Sequence, residues 1–435
     1  MTPDAMPFNH QWFNNFLDQS DEKPVIIDAI RKILGRSPRQ ACLEIGAGTQ
    51  PVFSLAFLEQ FQQYTIVEND NIKLKLPTGV ELLRQDWEQV QLSGQYDVII
   101  ASHVCYYFKD QRKAIRKMYD ALSDDGMVIV VVNGQEGDYG ALKQFFYQLI
   151  NKTYEPTANR LSNAVADMQP ITFTVPASIH YHDYTSLFNS LALFFDQYPD
   201  EYRRHQQEII AWLSENLRHK PFRIYQKIMV ICKKPVPWKY LLHHPDYELP
   251  NNGIPIWVRD GVFAPDPQLT NSTQLLLQHM PNVDGCTILD IGCGSGIISV
   301  TAMKNGASKA VATDVSVKAL ENTRFNCQAH QLGNSVLTIH TDIFDHVEGR
   351  FHYIFGNLPI LDDIWSKDAP PLSILKRFLT ASKDHILPGG KVYFSWASFA
   401  PLMPVVEMLK QLHYGYTMHA EHRSNTMWYL FEIGF

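Results

Sequence analysis

Long apolar runs are missing from this sequence, and so is a segment that would direct the chain into a membrane. The longest apolar run, MVIVVV at 127–132, is far shorter than the roughly 20 residues that a spanning helix needs. The N-terminal stretch MTPDAMPFNHQW lacks the basic region and the apolar stretch of a signal peptide. We therefore expect a soluble, cytoplasmic protein with no membrane partner.

Positive charge and paired cysteines are also scarce. The formal net charge is −7, so the chain has no overall cationic field of the kind that attracts a phosphate backbone. We therefore do not expect nucleic acid as a partner, although this alternative stays open. The six cysteines are scattered and form no CxxC pair, which predicts a reducing compartment and no metal site.

Short apolar runs do occur, and they alternate with longer helical patterns. The runs are YTIVEND, YDVIIAS and MVIVVVN in the first half, and CTILDIG, KAVATDV, FHYIFGN and KVYFSWA in the second. Buried parallel strands that are separated by helices produce this pattern. The sequence therefore predicts an α/β fold with a doubly wound, mostly parallel sheet in each half.

The length of the chain predicts two domains. A chain of 435 residues exceeds the ~250–300 residues at which a single core stops growing. The stretch KKPVPWKYLLHHPDYELPNNGIP carries five prolines from Pro235 to Pro255, as a linker would. We predict domains at 1–234 and 235–435, with an extended lead-in at 235–284. Aromatic-rich helical patterns predict a helical lid or insertion at about 134–220.

The two halves contain related motifs. LEIGAGTQ occupies 43–50 and LDIGCGSG occupies 289–296. Glu68 follows Glu44 by 24 positions, and Asp314 follows Asp290 by the same 24. Equal spacing in both halves indicates that the domain was duplicated.

Glycine-rich turns between a strand and a helix let a ligand approach the backbone, and an acid after the next strand can hold ribose hydroxyls. The second half offers Gly292, Gly294 and Gly296 for such a turn. The first half keeps Gly46 and Gly48 but has Gln50 and Pro51 where the third glycine should be. Its turn is therefore expected to bind with an altered pocket, or alternatively to bind no cofactor.

Turn, acid and strand at these offsets resemble the class I S-adenosylmethionine-dependent methyltransferases, which are Rossmann-like. In that family the first acid orients the methionine part, the second binds ribose, and a third reaches the adenine. The matching positions are Glu44, Glu68 and Asp86 in the first half and Asp290, Asp314 and Asp342 in the second. The resemblance implies S-adenosylmethionine as cofactor, one per domain. The alternative is that these acids only cap a helix or turn.

The stretch GNLPILDD in the second half resembles the loop that N-methyltransferases carry after the fourth strand. The resemblance assigns catalysis to Asn357, Leu358 and Pro359, because an amide oxygen and a carbonyl can accept hydrogen bonds from a reacting N–H. Ile360 stands where an aromatic residue is usual, and an ordinary Asn-x-Pro turn is the alternative. Asp362 and Asp363 could assist or cap a helix, and Trp396 could line the pocket or the core.

SHVCYYFKD at 102–110 makes the first half similar to histamine N-methyltransferase and its small-amine relatives. The resemblance implies that Glu22 binds a cationic amine and that Tyr106 and Tyr107 surround the accepting ring. His103, where the family has glutamine, could take a proton. A surface charge, core aromatics and a satisfied loop histidine are the alternative interpretations.

The sequence thus predicts a tandem S-adenosylmethionine-dependent N-methyltransferase whose substrate is a small amine-containing metabolite. The stretches DGVFAPDPQLTNSTQLLL and IFDHVEGRFHYIFGNLPILDD make the second half resemble the duplicated-domain enzymes that methylate a guanine exocyclic amine in small-subunit ribosomal RNA. The alternative function is therefore methylation of ribosomal RNA, or of a protein amide, by the second domain. The first domain would then serve recognition or act as a scaffold.

Overall fold

The computed structural model describes residues 10–35, 38–48, 50–69, 74–92, 94–218, 220–234, 240–360, 370–423 and 426–435. The chain forms two compact units, Met1–Val236 and Pro237–Phe435, which we call unit 1 and unit 2. No helix among the described residues is long and apolar enough to cross a bilayer.

Unit 1 contains one seven-stranded sheet with helices between its strands. The strands are β1 (Arg39–Ile45), β2 (Phe61–Val67), β3 (Val80–Leu83), β4 (Tyr96–Ser102), β5 (Leu122–Asn133), β6 (Ile171–Ile179) and β7 (Phe222–Cys232). The helices are α1 (His10–Gln19), α2 (Glu22–Leu34), α3 (Val52–Phe57), α4 (Gln111–Asp120), α5 (Gly137–Leu149), α6 (Thr157–Ala164), α7 (Tyr184–Leu191), α8 (Pro199–Arg204) and α9 (Gln206–Leu217). Four short 3-10 helices also occur among the described residues of this unit.

Unit 2 repeats this architecture. Its strands are β8 (Tyr247–Leu249), β9 (Ile256–Val258), β10 (Thr287–Ile291), β11 (Lys309–Asp314), β12 (Val336–His340), β13 (Phe351–Gly356), β14 (Ile386–Ala397), β15 (Tyr416–Arg423) and β16 (Thr426–Gly434). Its helices are α10 (Ser272–Gln278), α11 (Ile297–Lys304), α12 (Val317–Ala329), α13 (Pro371–His385) and α14 (Met403–Gln411).

Both large sheets have the same strand order. It is β3-β2-β1-β4-β5-β7-β6 in unit 1 and β12-β11-β10-β13-β14-β16-β15 in unit 2. The central strands pair in parallel, and β7 and β16 pair antiparallel with both of their neighbours. Strand β5 ends in eight consecutive buried residues, as expected when helices cover both faces of a sheet. The predicted fold class is confirmed, and the shared order supports a duplication.

Two predicted segments differ from the structure. The segment 134–220, predicted as a helical insertion, also supplies β6, whose alternating burial and Pro176 fit an edge strand. Residues 180–221 separate β6 from β7 and hold α7, α8 and α9, whereas only residues 424–425 separate β15 from β16. The segment 235–284, predicted as extended, contains the β8–β9 hairpin and α10. A strand pattern interrupted by proline and a seven-residue helix are weak signals in sequence, which explains both errors.

Candidate cofactor and substrate sites

Two equivalent turns lie at the carboxyl ends of the central strands β1 and β10. In unit 1 the backbone N–H of Gly48 donates a hydrogen bond of 2.9 Å to Oε2 of Glu68. In unit 2 the backbone N–H of Gly294 donates one of 3.0 Å to Oδ2 of Asp314. The structure therefore brings each predicted ribose-binding acid onto its glycine turn.

Close packing explains why some of these glycines cannot carry a side chain. Gly46 and Gly292 have φ values of +74° and +72°, a region that favours glycine. A Cβ on Gly46 would lie 2.8 Å from Cγ2 of Val104, and one on Gly296 would lie 2.8 Å from Cγ2 of Thr323. Glycine at both positions lets the turn sit directly against its neighbouring element.

The third turn position distinguishes the two units. In unit 2, Gly296 has a φ of +79° and directly precedes α11. In unit 1, Gln50 is exposed and Pro51 precedes α3, whose first turn is closed by a 3.0 Å hydrogen bond from Ser54 Oγ to the Pro51 carbonyl. Proline suits a helix start because it needs no N–H partner there. Unit 1 therefore begins a helix after Gln50 and Pro51 without a glycine in the left-handed conformation.

The first acid of each motif is buried. Asp290 is 3% exposed, and its Oδ2 accepts hydrogen bonds from Ser299 N at 3.2 Å and Ser299 Oγ at 2.7 Å. Glu44 is 2% exposed, and its Oε2 accepts one of 2.9 Å from the Tyr64 hydroxyl. Burial raises the pKa of Asp290 to about 6 and that of Glu44 to about 7. Neither carboxyl group lies at the surface. Their burial favours the predicted role of these acids at the glycine turn over that of a surface charge.

Asp86 and Asp342, the predicted adenine-binding acids, have partners of their own. Asp86 Oδ1 accepts a hydrogen bond of 2.8 Å from Glu88 N, which is the turn-capping arrangement. Asp342 is exposed and forms a 2.8 Å ion pair with Arg377. The contact of Asp86 matches the alternative that it only caps a turn, that of Asp342 is an ion pair, and the adenine role of both stays a prediction.

The polar groups at both turns are suited to S-adenosylmethionine. Asp314 has carboxylate oxygens that could hold the ribose hydroxyls, since carboxylate oxygens offer about four acceptor positions and backbone N–H groups such as those of Gly294 and Ser316 use only some of them. Ser295 Oγ in unit 2 and Glu44 Oε1 in unit 1 are buried and lack a hydrogen-bond partner within the described part of the chain. Buried polar atoms without partners are expected where a ligand completes the site.

The predicted catalytic loop follows β13 and lies beside the turn of unit 2. A Cβ on Gly292 would be 3.9 Å from the carbonyl oxygen of Asn357. Ser395 Oγ donates a 2.8 Å hydrogen bond to Asn357 Oδ1, and Asn357 Nδ2 donates one of 3.0 Å to Thr273 Oγ1. Two hydrogen bonds from two other elements therefore fix the carboxamide plane of Asn357.

The other predicted residues of this region are buried or half-buried, or lie outside the described residues. Leu358 is 9% exposed and packs in the hydrophobic core of unit 2, and Pro359 and Ile360 are half-buried. Trp396 is 2% exposed and belongs to the same core, as in its alternative interpretation. Asp362 and Asp363 lie outside the described residues.

In unit 1, Glu22 lies inside the protein and is surrounded by side chains of the same unit. Its Oε2 accepts a 3.0 Å hydrogen bond from Gln226 Nε2, and its Oε1 lies 3.8 Å from Lys23 Nζ and 3.3 Å from His103 Nε2. Burial raises the pKa of Glu22 and lowers that of Lys23. The structure places Glu22 beside His103 and adds a lysine where a substrate amine was expected, and the substrate roles of Glu22 and His103 stay predictions.

His103, Tyr106 and Tyr107 occupy the loop after β4. Burial, and then the nearby Lys23 ammonium, lower the pKa of His103 well below its usual range, so the ring is neutral at pH 7 and a poor proton acceptor. The Tyr106 hydroxyl accepts a 2.6 Å hydrogen bond from Asn133 N and lies 3.4 Å from His103 Nδ1. Tyr107 is 49% exposed. Tyr106 is thus part of the packed interior, whereas Tyr107 is available at the surface.

The comparisons with known proteins agree with this geometry. Residues 253–424 match the model described as "Methyltransferase small domain", and residues 19–188 match the model described as "Methyltransferase domain". A ribosomal RNA small subunit methyltransferase C of Mannheimia succiniciproducens is 31% identical over 36% of this chain and 45% of its own. One of Haemophilus influenzae is 29% identical over 42% of this chain and 55% of its own. The chain thus spans about half the length of these relatives.

A solved T. thermophilus 16S rRNA methyltransferase, in complex with AdoMet and guanosine, is 14% identical over 94% of this chain and 91% of its own, with a TM-score of 0.34. A likeness at that TM-score supports no conclusion. The matched models and the two turns define a chain of two class I methyltransferase domains in tandem. S-adenosylmethionine is the cofactor of this class, as predicted.

One prediction is wrong. Nucleic acid was not expected as a partner, but the matching relatives are named for ribosomal RNA. Net charge sums over a whole chain, whereas RNA recognition depends on local cations and aromatic faces. The negative net charge of the whole chain was therefore a poor reason to exclude nucleic acid as a partner. The likeness of the first half to histamine N-methyltransferase finds no support among these relatives.

Proposed function

We propose that the protein transfers a methyl group from S-adenosylmethionine to a guanine exocyclic amine of ribosomal RNA. In this proposal unit 2 carries out the chemistry and unit 1 contributes to recognition. The proposal takes the place of a small amine metabolite as the substrate. The names of the matching relatives support it, as does the match of residues 253–424 to the small methyltransferase domain.

The fixed carboxamide of Asn357 is the observation that carries the proposal. Ser395 uses one acceptor position of Asn357 Oδ1, and an amide oxygen has two. The second position can accept an N–H of the reacting amine, and the Leu358 carbonyl can accept the other. Holding both hydrogens aligns the nitrogen lone pair for an in-line displacement. When bound, S-adenosylmethionine would supply the electrophilic methyl group and leave as S-adenosylhomocysteine, and the methylated nitrogen would release one of its two hydrogens as a proton to solvent.

The chemistry of the loop suits a neutral amine. An alkylamine has a pKa of about 10, by analogy with lysine, and is therefore protonated at pH 7. It must lose a proton before it reacts. A guanine exocyclic amine is uncharged, so hydrogen-bond acceptors are sufficient to orient it. Asn357 and Leu358 offer an amide and a carbonyl oxygen, which accept hydrogen bonds without changing charge. This loop can therefore position a nucleobase amine without a general base.

A transfer assay with labelled S-adenosylmethionine tests the proposal. The substrates are small ribosomal subunits, extracted small-subunit RNA, and a panel of alkyl and imidazole amines. We expect label in the RNA, recovered after digestion as guanosine methylated on its exocyclic nitrogen. Asn357→Ala and Asp314→Ala should each remove nearly all of it. Asn305→Ala and Asp384→Ala replace exposed residues of the same types in unit 2 and serve as matched controls.

Label in the amine panel but not in RNA would contradict the proposal and favour the small-amine hypothesis. Label in RNA that Asn357→Ala leaves unchanged would contradict the assignment of catalysis to this loop.

A further inference from the structure

A cavity of about 310 Å³ lies in the helical part of unit 1. It is lined by Trp12, Asn15, Phe188, Asn189, Ala192, Pro199, Tyr202 and Arg203. Helix α8 and part of α7 form its wall, and both lie in the segment between β6 and β7 that is reduced to residues 424–425 in unit 2. Only Phe188 falls within the matched range 19–188. The methyltransferase core therefore does not require this cavity.

The floor of the cavity is rigidly packed. The ring of Tyr202 lies parallel to that of Phe188, with centroids 4.4 Å apart, and stacks on Phe195 at the same distance. The Tyr202 hydroxyl also donates a 2.8 Å hydrogen bond to the Phe188 carbonyl. Stacked rings and a buried hydrogen bond hold the neighbouring wall residues in place before a ligand arrives.

The rim combines an aromatic face with a cation. The guanidinium of Arg203 lies 5.7 Å from the centroid of the Trp12 ring. Arg203 is exposed, and so are Asn15 and Asn189, which come from α1 and α7. The eight lining residues include no carboxylate. An anionic group can therefore approach Arg203 without meeting negative charge in the lining.

These groups are the ones that recognise a nucleotide. An indole face stacks on a base, a guanidinium binds phosphate or stacks, and carboxamides pair with the donors and acceptors on a base edge. The volume is at the lower end of the range for small-ligand sites, which suits one nucleotide better than a larger cofactor.

We propose that this cavity binds one nucleotide of single-stranded RNA: the base takes the place that the Arg203 guanidinium holds over Trp12, Asn15 and Asn189 read the base edge, and Arg203 turns to the phosphate. The identification of RNA as the source of that nucleotide rests on the proposed function. The existence of the site is inferred from the cavity and its lining residues alone. It would give unit 1 a contact with the substrate that is separate from the methyltransferase turns.

Binding of a fluorescent single-stranded oligoribonucleotide to the full chain tests this site at two salt concentrations. Trp12→Ala should weaken binding by about 5- to 150-fold, the range found when one stacking residue is removed. Trp12→Phe should retain most of the affinity. Arg203→Ala should weaken binding and lower the salt dependence by about one phosphate contact. Arg204→Ala, which removes an adjacent exposed arginine outside the lining, is the matched control.

Calorimetry with guanosine and adenosine monophosphates separates the two sources of the ligand. Monophosphate binding that Arg203→Ala abolishes, without any change in RNA binding, would overturn RNA as the source of the nucleotide and leave a site for free nucleotides. Unchanged binding of both ligands in all variants would overturn the proposal. If the wild type methylates RNA and the cavity variants bind it normally, only the cavity proposal fails. If the cavity variants lose RNA binding but the wild type methylates no RNA, only the proposed function fails.

Discussion

Replacement of Asp290 by asparagine should make unit 2 more stable, and increasingly so as the pH rises. The carboxylate is buried, and both hydrogen bonds that it accepts come from Ser299. An asparagine oxygen can accept the same two bonds without carrying a charge. The structure therefore predicts that the native residue reduces stability at neutral pH, a cost that is understandable if the carboxylate serves the cofactor.

The size of the effect follows from the pKa of Asp290. Burial raises it from 3.8 to about 6, so the folded state holds its proton more tightly than the unfolded chain does. Stability from this group is present below pH 3.8 and is lost as the pH rises to about 6. The full loss is about 3 kcal/mol, at 1.36 kcal/mol per pKa unit. Between pH 5 and pH 8 the advantage of Asp290→Asn over the wild type should grow by roughly 1 kcal/mol.

Hydrogen exchange of peptides from β10, measured in increasing urea at pH 5 and pH 8, gives the stability of unit 2 without a contribution from unit 1. Rates must be corrected for the intrinsic effect of pH on exchange. Parallel pH profiles of the variant and the wild type would refute the reasoning, whatever constant offset separates them. Asp290→Asn should also weaken binding of S-adenosylhomocysteine, and tighter binding would contradict a cofactor role for the carboxylate.

Three further predictions concern both units. Glu44→Gln should gain roughly 2 to 3 kcal/mol over the wild type between pH 5 and pH 8 in hydrogen exchange of β1, because burial raises the pKa of Glu44 from 4.5 to about 7 and stability is lost across that interval. Ser395→Ala should lower kcat about 5-fold and Asn357→Ala about 100-fold or more in the RNA assay, because the first removes a hydrogen bond of about 1 kcal/mol and the second removes the acceptor itself. Gly296→Ala should lower the thermal midpoint of unit 2, because its Cβ meets Thr323 at 2.8 Å, and Gly296→Ala with Thr323→Ser should recover part of the loss.

The fold and the cofactor turns could be predicted from sequence because their signals are local. A buried strand, a glycine turn and an acid follow one another within 24 positions in each half, from Glu44 to Glu68 and from Asp290 to Asp314. Covered parallel strands need continuous apolar runs, and such runs are visible without an alignment. The hydrogen bonds from Gly48 and Gly294 to the second acids follow the same local order.

The surroundings of the substrate groups could not be predicted, because they depend on contacts between distant parts of the chain. Thr273 lies 84 positions before Asn357, and Ser395 lies 38 positions after it. Gln226 and Glu22 are 204 positions apart. Thr273 lies in the stretch LTNSTQLLL and Ser395 in KVYFSWA, but a single hydroxyl in either stretch carries no signal of its partner.

The contacts of Glu22 also explain why a cationic substrate is a poor fit for unit 1. The Lys23 ammonium already lies 3.8 Å from Glu22 Oε1, and Gln226 donates to the other oxygen. A second ammonium about 4 Å from Lys23 would be repelled by about 4 kcal/mol at an effective dielectric constant of 20. His103 could not relieve this by taking the proton, because its pKa is well below the usual range. A charged amine would therefore have to displace Lys23, whereas the Asn357 loop of unit 2 can accept an uncharged base amine directly.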